Sequence, residues 1–270
     1  MKIQNLIVTM NRKNLDLYDD LNIKCDAIIA NQSDMNSYQE KKIRNNNVKL
    51  ITTNTKGVGV NRNLALLYSD ADVCILTDDD MKYKDNYLDI IEHAFFKIPT
   101  ADIIIFNIDT IGANVNRRKN KKIKKVSKLN FMNYGAARVA FKRNSIIKSN
   151  LWFSLLFGGG TMYSSGEDSL FLAEALDKKL KIYVYPETIA TVNQEKSTWF
   201  NGYNDKFFFD KGALLSQIHP KTKYLFALIY FPLRFRCSIS FIKRQKLLVN
   251  GLKSFKKGID YEKWKKLSDN

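Results

Sequence analysis

Three aspartates stand side by side after an apolar run in the stretch CILTDDDMKY, residues 74–83. Like charges at this spacing repel one another, so we expect Asp78, Asp79 and Asp80 to be neutralised by a cation. Asp78 and Asp80 are alternate residues that can point the same way and share a hard divalent ion, Mg²⁺ or Mn²⁺. The competing interpretation is a solvated acidic turn, which a position directly after a buried strand makes less favourable.

A second pair of acids, Glu167 and Asp168, opens the helical pattern SSGEDSLFLAEAL, residues 164–176. Either carboxylate could serve as a general base and take a proton from an attacking hydroxyl group. A structural role suits the same residues, because Ser165-x-x-Asp168 resembles a helix cap and acids stabilise a helix N-terminus. Taken alone, these residues favour the capping role over the catalytic one.

Glycines precede a third candidate helix in TNTKGVGVNRNLAL, residues 53–66. Such a turn could cradle phosphate, with Arg62 adding positive charge. However, it matches neither G-x-G-x-x-G nor the P-loop pattern, which argues against dinucleotide redox chemistry and P-loop nucleotide hydrolysis. His93 and His219 belong to no Ser/His/Asp or Cys/His pattern, so nucleophilic hydrolysis is also disfavoured.

Five short runs rich in Ile and Val predict the strands that must position these residues, each nearly continuous in apolar character. They cover residues 3–9, 26–30, 48–52, 72–77 and 102–108. Helical patterns between them, clearest over 61–70 and 86–98, predict a mainly parallel sheet flanked by helices. The triple aspartate then lies at the carboxyl end of a parallel strand, where open α/β sheets bind ligands.

The second half of the chain predicts further elements and a change of character. A basic loop, a strand, a glycine break, a helix and another strand are expected at 117–128, 138–143, 157–160, 169–180 and 181–186. From about residue 197 the pattern becomes helical, aromatic and basic. We therefore predict a catalytic domain over 1–196, with a nucleotide-binding half near 1–110 and an acceptor half near 130–196, followed by a C-terminal region over 197–270.

Composition narrows the class of protein. The chain has 270 residues, 45% of them hydrophobic, and a net charge of +17. It can therefore bury a large core, and its charge predicts a polyanionic partner such as nucleic acid, an acidic membrane or a phosphorylated substrate. Three widely spaced cysteines, with Cys74 inside an apolar run, indicate no disulfide framework or zinc site and favour a reducing compartment.

The sequence predicts neither a signal peptide nor a membrane-spanning helix. No signal peptide is evident near residue 1, and the longest late apolar stretch, 224–233, is about half the length that spans a membrane. We expect a cytoplasmic protein, peripheral on the inner face of the plasma membrane if the C-terminal region binds lipid.

Taken in order, the motifs resemble a family 2 glycosyltransferase with the GT-A fold. The resemblance covers about residues 3–195 and rests on LIVTMN, AIIANQSD, KGVGVNRNLAL, LTDDD, SGEDSLFLAEAL and KIYVYPETIATV. NQSD after the second strand, and SGED ahead of STWF at 197–200, look like a bacterial subgroup that assembles capsular or other surface polysaccharides. Two segments depart from the family pattern: Asn31-Gln32-Ser33-Asp34 replaces an acidic turn, and 151–160 replaces an F-D-E segment.

The resemblance implies roles for individual residues. Asp80 would bind a Mn²⁺ or Mg²⁺ ion that bridges the diphosphate, Asp78 would share that ion or contact the ribose, and Asp168 would be the base, with Glu167 competing. The remaining residues implied at the nucleotide are Thr9, Met10, Asn11, Asn31, Arg62 and Asp79, the last without an assigned role. The departure at Asn31 leaves the nucleotide base open, because an amide both accepts and donates hydrogen bonds.

The implied activity is metal-dependent inverting transfer from a nucleotide-sugar donor, with a UDP-sugar favoured, to a hydroxyl of a glycan acceptor. The acceptor is expected to be lipid-linked, in bacterial surface polysaccharide synthesis. A single in-line displacement needs no covalent intermediate, which agrees with the lack of an activated nucleophile. The alternative is a nucleic-acid-binding, metal-dependent phosphotransferase or nuclease. However, the sequence has no nucleic-acid-binding signature, and we do not expect nucleic acid as a partner. A catalytically inactive scaffold is a third interpretation, against which the intact acids argue.

Residues 221–257 interleave basic with apolar and aromatic residues. This pattern is typical of an interfacial helix on an anionic membrane. Equally, the apolar residues could pack on the catalytic domain while the lysines are solvated. The sequence does not choose between these interpretations.

Overall fold

The computed structural model describes residues 1–112, 119–193, 202–218, 221–235 and 237–268. The chain divides into two compact units: residues 1–153 with 171–197 form the first, and residues 154–170 with 198–270 form the second. The predicted STWF motif, His219 and the first two residues of the basic loop lie outside the described residues. Nothing in the described part of the chain tests the predicted domain boundary at residue 197.

A mixed sheet forms the frame of the first unit. Its strands are β1 Ile3–Met10, β2 Asp26–Gln32, β3 Ser37–Ile43, β4 Asn46–Thr53, β5 Val73–Asp78, β6 Met81–Tyr83, β7 Ile103–Ile111, β8 Lys124–Lys125, β9 Val139–Lys142 and β10 Ile182–Asn193. Their order is β3-β4-β2-β1-β5-β9-β7-β10-β6, with β8 paired to β10. β4, β2, β1 and β5 run parallel, as do β7 and β10, whereas β3, β6, β8 and β9 pair antiparallel.

Helices cover this sheet and make up most of the C-terminal residues. They are α1 Leu17–Asp20, α2 Val58–Tyr68, α3 Tyr87–Lys97, α4 Arg143–Lys148, α5 Glu167–Asp177, α6 Asp205–Ile218, α7 Lys223–Leu225, α8 Phe231–Arg234, α9 Phe241–Phe255 and α10 Tyr261–Ser268, with a π-helical turn over Phe226–Tyr230 between α7 and α8. The predicted α/β class with a helical C-terminal region is confirmed. Searched over its described residues, the chain has no helix of the length and apolar character needed to cross a membrane.

The five predicted N-terminal strands all form, with ends shifted by a few residues. β3 was not predicted, because its residues SYQEKKI are mostly exposed and polar and it lies at the sheet edge, paired only with β4. α2 begins at Val58, three residues before the predicted start, following Gly57, whose φ of 118° is readily available only to glycine.

Buried hydrogen bonds lock β1 to β5 and α3 beneath the triple aspartate. Asn5 Nδ2 donates to Thr77 Oγ1 (2.9 Å), and Tyr87 OH donates to Asn5 Oδ1 (2.9 Å). Cys25 Sγ donates to the same Asn5 oxygen at 3.1 Å, and burial raises the pKa of Cys25 to about 11. Cys74 is fully buried, as predicted, and burial raises its pKa to about 12, so both thiols stay protonated at neutral pH.

Two glycines allow the helices of the second unit to cross closely. A Cβ atom on Gly212 of α6 would lie 2.0 Å from the carbonyl oxygen of Leu248. On Gly251 of α9, it would lie 1.9 Å from the carbonyl oxygen of Phe209. Neither helix tolerates a larger residue at the crossing without a backbone shift. Beside it, Phe157 and Tyr163 pack with Phe209 and its α6 neighbours in a small aromatic core.

Candidate active site

The parallel strands of the first unit bring three of the predicted segments to one edge of the sheet. β1 lies between β2 and β5, and its register places Thr9 opposite Asn31 and Val8 opposite Asp78. Because these strands run parallel, their carboxyl ends lie at the same edge, where such sheets bind ligands. Residues separated by about 70 positions in sequence therefore become neighbours.

Asp78 is paired with the buried Arg62. Arg62 Nη2 lies 3.0 Å from Asp78 Oδ1, and the Arg62 side chain is 5% exposed against 31% for Asp78. The guanidinium group also lies over the ring of Phe153, at 5.4 Å from the ring centroid. Arg62 is thus held in place by an ion pair and a cation–π contact, with little freedom to move.

Asp79, for which the sequence suggested no role, is held by β1. Thr9 Oγ1 donates a 2.6 Å hydrogen bond to Asp79 Oδ2, and the Thr9 carbonyl accepts one from Asn61 Nδ2 at 3.3 Å. The Asn61 side chain is buried, and its Oδ1 accepts no hydrogen bond from the residues that the structure describes. Thr9 therefore links the acidic turn to α2.

The motif Asn61-Arg62-Asn63 at the start of α2 acts as one unit, although the sequence analysis singled out only its arginine. Asn63 Nδ2 donates to the Phe153 carbonyl (2.9 Å), and Phe153 N–H donates to Asn63 Oδ1 (2.8 Å). Phe153 in turn stacks on Phe171, with centroids 4.2 Å apart. Asn63 thereby positions the ring under Arg62. The only signal for it in the sequence was the R-N pair of the family motif.

Asn31 shapes the loop after β1. Its side chain is fully buried, and its Oδ1 accepts from Arg12 N–H (3.0 Å) while its Nδ2 donates to the Arg12 carbonyl (2.8 Å) and to Thr52 Oγ1 (3.0 Å). These bonds use both ends of the amide. Asn31 therefore fixes the loop geometry, while its direct contact with a nucleotide stays a prediction.

The loop itself presents Met10 and Asn11 at the surface. Met10 is 45% exposed, and Asn11 has a left-handed backbone, with φ of 56°, whose N–H donates to the Gln32 carbonyl at 2.8 Å. Gln32 Oε1 accepts from Gly57 N–H at 2.9 Å, which ties the end of β2 to the start of α2. The predicted nucleotide-binding residues Thr9–Asn11 thus lie at the end of β1 and the start of a loop with a defined conformation.

Asp80 completes the acidic turn and is partly exposed. Its carbonyl accepts from Asn193 N–H at 2.9 Å, which fixes the turn to the end of β10. Within the described ranges, no group of three or more His, Cys, Asp or Glu residues is arranged to hold a metal ion. Mg²⁺ commonly takes only one or two protein carboxylates and completes its shell with water and phosphate oxygens. The oxygen donors of Asp78 and Asp80 fit that smaller requirement.

The two acids of the second unit open α5. Asp168 Oδ1 accepts from the next backbone N–H, that of Ser169, at 2.8 Å, and Glu167 Oε2 accepts from Gly166 N–H at 3.2 Å. Gly166 has a φ of 125°, and a Cβ there would lie 2.7 Å from a methyl group of Leu214. Glycine at this position is thus required both by conformation and by space.

A buried carboxylate that the sequence analysis did not single out anchors this loop. Asp210 of α6 is 1% exposed, and its Oδ2 accepts from Ser164 N–H (2.9 Å), Ser164 Oγ (2.7 Å) and Lys206 Nζ (2.6 Å). An ionised, buried carboxylate needs such partners to offset its lost hydration. Asp210 lies in the pattern FFFDKG, where nothing in the sequence distinguishes it from a solvated helix residue.

The next residue, Lys211, brings a cation to the same loop. Its Nζ donates to Ser165 Oγ at 3.2 Å and lies 5.4 Å from the centroid of the Phe207 ring. Burial lowers the pKa of Lys211, while the charges of Asp168, Glu167 and Asp210 oppose that shift. The positive charge of Lys211 therefore lies near the two acids that open α5.

Comparison with known proteins identifies the family to which this architecture is similar. Residues 32–159 match Glycosyl transferase family 2, a range that includes the acidic turn and α2 but not Glu167 or Asp168. A search of curated proteins found no match.

Solved structures show the same fold at low sequence identity. The crystal structure of S. aureus TarS 1-349 in complex with UDP-GlcNAc aligns with a TM-score of 0.57 and 14% identity, over 93% of this chain and 72% of that one. The corresponding complex with UDP gives a TM-score of 0.56 over 71% of that chain. Against the S. aureus TarS crystal structure, the alignment again covers 93% of this chain but 43% of the other.

Proposed function

We propose that this chain, which matches Glycosyl transferase family 2 over residues 32–159 and shares its fold with TarS, transfers a sugar from a UDP-sugar to a hydroxyl group of a glycan acceptor. The observation that carries this proposal is the strand-end cluster of Asp78, Asp79 and Asp80 with Arg62 and Thr9. The UDP-GlcNAc and UDP complexes of TarS, which has the same fold, support UDP as the nucleotide.

On the donor side, we assign the nucleotide to the edge formed by Thr9–Asn11 and the acidic turn. Exposed Met10 and the left-handed Asn11 present side chains and backbone there, while buried Asn31 keeps the loop in shape. The Arg62 ion pair holds one oxygen of Asp78, which leaves the second Asp78 oxygen for the ribose or a metal ion. Arg62 then acts chiefly by positioning Asp78 and by adding positive charge near the phosphates.

We assign the divalent cation, Mn²⁺ or Mg²⁺, to Asp80, with Asp78 as the second carboxylate. A bound divalent cation offsets the negative charge that develops on the departing nucleoside diphosphate. The residues of the chain bind the donor, position the acidic turn and remove the acceptor proton. Asp79, held by Thr9, would fix the conformation of the turn that carries Asp80.

We propose Asp168 as the general base and Glu167 as the competing candidate. A carboxylate in this role removes the proton from the acceptor hydroxyl as that oxygen attacks the anomeric carbon. The bond from that carbon to the diphosphate breaks in the same displacement, so the anomeric configuration inverts. Lys211 adds positive charge beside both acids, at the end of α5 where they begin the helix.

For the acceptor, we propose a lipid-linked glycan in bacterial surface polysaccharide synthesis, at the cytoplasmic face of the membrane. The basic C-terminal region supports this assignment, because it matches the charge of an anionic lipid surface. The protein would then be peripheral and meet its acceptor in the plane of the membrane.

Thermal unfolding with a panel of sugar nucleotides, with and without Mn²⁺, tests the donor class. A bound donor at about 100 times its Kd stabilises the fold by about 2.7 kcal/mol. We expect one UDP-sugar to raise the melting temperature, and Mn²⁺ to enlarge the effect. Stabilisation by single-stranded DNA but by no sugar nucleotide would favour the nucleic-acid-binding alternative.

A matched pair of variants tests the base. Asp168→Asn and Glu167→Gln each remove one charge and keep the side-chain shape. We expect Asp168→Asn to retain donor binding and to lose transfer by about a hundredfold or more, in the range of general base catalysis. Full turnover by Asp168→Asn together with loss in Glu167→Gln would reassign the base to Glu167.

A further inference from the structure

A run of large apolar side chains projects to solvent from the helical stretch that runs from α7 through α8, residues 223–234. Six of them lie in this stretch, and two more lie at the start of α9. The exposed fractions are 46% for Tyr224, 56% for Leu225, 41% for Leu228, 51% for Ile229, 42% for Tyr230, 61% for Leu233, 38% for Phe241 and 64% for Ile242. We name these eight residues the apolar face. Clustered exposure of this kind marks an interaction surface, whereas single exposed leucines do not.

The inner side of the same stretch is fully occupied, so the apolar face cannot fold inward. Ala227 and Phe231 are buried. α9 fastens the backbone from behind, since Gln245 Nε2 donates to the Leu228 carbonyl (2.6 Å) and Arg244 Nη1 donates to the Pro232 carbonyl (2.7 Å). The exposure is therefore a property of the packed second unit.

The sequence left open whether the apolar residues of segment 221–257 contact a membrane or pack within the protein. In the structure, one part of the segment packs and another part stays exposed. The later part of α9 packs: Leu247, Leu248 and Leu252 are buried, and Gly251 contacts α6. In the stretch 223–234 and the first turn of α9, the eight residues of the apolar face stay exposed although the inner side of the stretch packs. Among the described residues of the segment, this earlier part offers an apolar surface to a partner.

The positive charge around the apolar face favours an anionic partner. Between residues 211 and 259 the chain has no Asp or Glu, and residues 221–257 contain ten Lys and Arg. A second copy of the same face would bring these cations against each other, which disfavours self-association. An anionic surface gains both from the charges and from burial of the apolar side chains.

We propose that the apolar face inserts into the surface of an anionic lipid bilayer, with Lys223 and Arg234 at the phosphate head groups. The tyrosines suit this arrangement, because aromatic side chains with a polar tip favour the membrane interface. Arg234 stacks on Tyr230, at 5.6 Å from the ring centroid, so that charge and ring reach the same depth. The inference rests on the proposed function in that it gives the enzyme access to a lipid-linked acceptor.

Co-sedimentation of the full chain with vesicles tests the proposal, using phosphatidylglycerol mixed into phosphatidylcholine against phosphatidylcholine alone. The test variant is Leu225→Gln with Leu233→Gln, which removes apolar surface without changing charge. We expect binding to the anionic vesicles, weakened at least about tenfold in this variant. The matched control is Leu67→Gln with Leu129→Gln, at leucines of the first unit that are 60% and 98% exposed. Its binding should equal that of the wild type.

Binding that the test variant and the wild type share equally would overturn the proposal, because the lipid contact would then lie elsewhere. Absence of wild-type binding would overturn it as well, as would a wild-type dimer that dissociates in the test variant. UDP-sugar binding, measured on the same samples without vesicles, keeps the two hypotheses apart. If it persists while vesicle binding fails, the membrane surface is wrong and the proposed function stands.

Discussion

The acidic turn of the first unit and the 164–168 loop of the second unit are held in different ways. In the turn, the predicted site residues bind one another: Arg62 pairs with Asp78, and Thr9 with Asp79. In the loop, the backbone ahead of the two candidate bases is held by α6 residues outside any motif, above all the buried Asp210, which binds Ser164. The turn is thus built from its own functional residues, whereas the loop is built by tertiary packing.

This difference predicts where each region is vulnerable. The turn should lose its conformation locally when one of its paired residues is changed. The loop should lose its conformation when the packing of α6 is disrupted, even by substitutions far from the candidate bases.

The largest effect is expected at the close crossing of α6 and α9. Gly212→Ala places a Cβ atom 2.0 Å from the Leu248 carbonyl oxygen, so the helices must move apart. We expect the free energy of unfolding to fall by about 3 kcal/mol or more, measured by chemical denaturation.

Gly202→Ala is the control, because no atom of the described residues lies within 4 Å of the position that its Cβ would take, and its φ of 84° is what opposes the change. That conformational cost is about 1 kcal/mol. Equal losses at Gly212 and Gly202 would mean that the crossing is not under steric constraint.

An intermediate effect is expected for the ion pair in the acidic turn. Arg62→Met leaves Asp78 without its partner in a partly buried position, and we expect a loss of about 2 kcal/mol in the free energy of unfolding. Arg44→Met removes a pair of similar length, 2.9 Å to Asp19, in which both side chains are more than half exposed. There the loss should stay below about 1 kcal/mol. Equal losses in the free energy of unfolding for Arg62→Met and Arg44→Met would contradict the prediction that burial strengthens the pair.

The smallest effect is expected from Lys211 and depends on pH. Burial lowers its pKa below the ordinary 10.5, so the unfolded chain binds this proton more tightly than the folded chain. The wild type therefore gains stability as pH rises toward 10.5, a gain that Lys211→Met cannot show. In chemical denaturation at increasing pH, the free energy of unfolding of the wild type should rise relative to that of the variant. A constant difference would mean that Lys211 titrates normally.

Much of the first unit could be predicted because its signals are local. An apolar run that ends in Asp78–Asp80 reveals both a buried strand and the acids at its end. The inserted strand β9 shows why topology is harder: its residues 138–143 read as a strand, but nothing in them specifies an antiparallel position between β5 and β7. Strand order depends on long-range pairing, which local pattern does not encode.

The second unit was predicted less completely for the same reason. Helical and basic character were evident from residue 197 onward, whereas the roles of Asp210 and Lys211 arise only when α6 meets residues 164 and 165. Gly212 and Gly251 carry no local helix signal, since glycine within a helix lowers its propensity. The reason for both glycines is the close approach of α6 and α9 at the crossing.

Calorimetric titration of UDP in the presence of Mn²⁺ tests the central claim most directly, on the wild type, Asp80→Asn and Asp168→Asn. If the acidic turn binds the diphosphate through a divalent cation, Asp80→Asn should lose at least about tenfold in affinity, whereas Asp168→Asn should bind as the wild type does. Unchanged, Mn²⁺-dependent affinity in Asp80→Asn would contradict the claim.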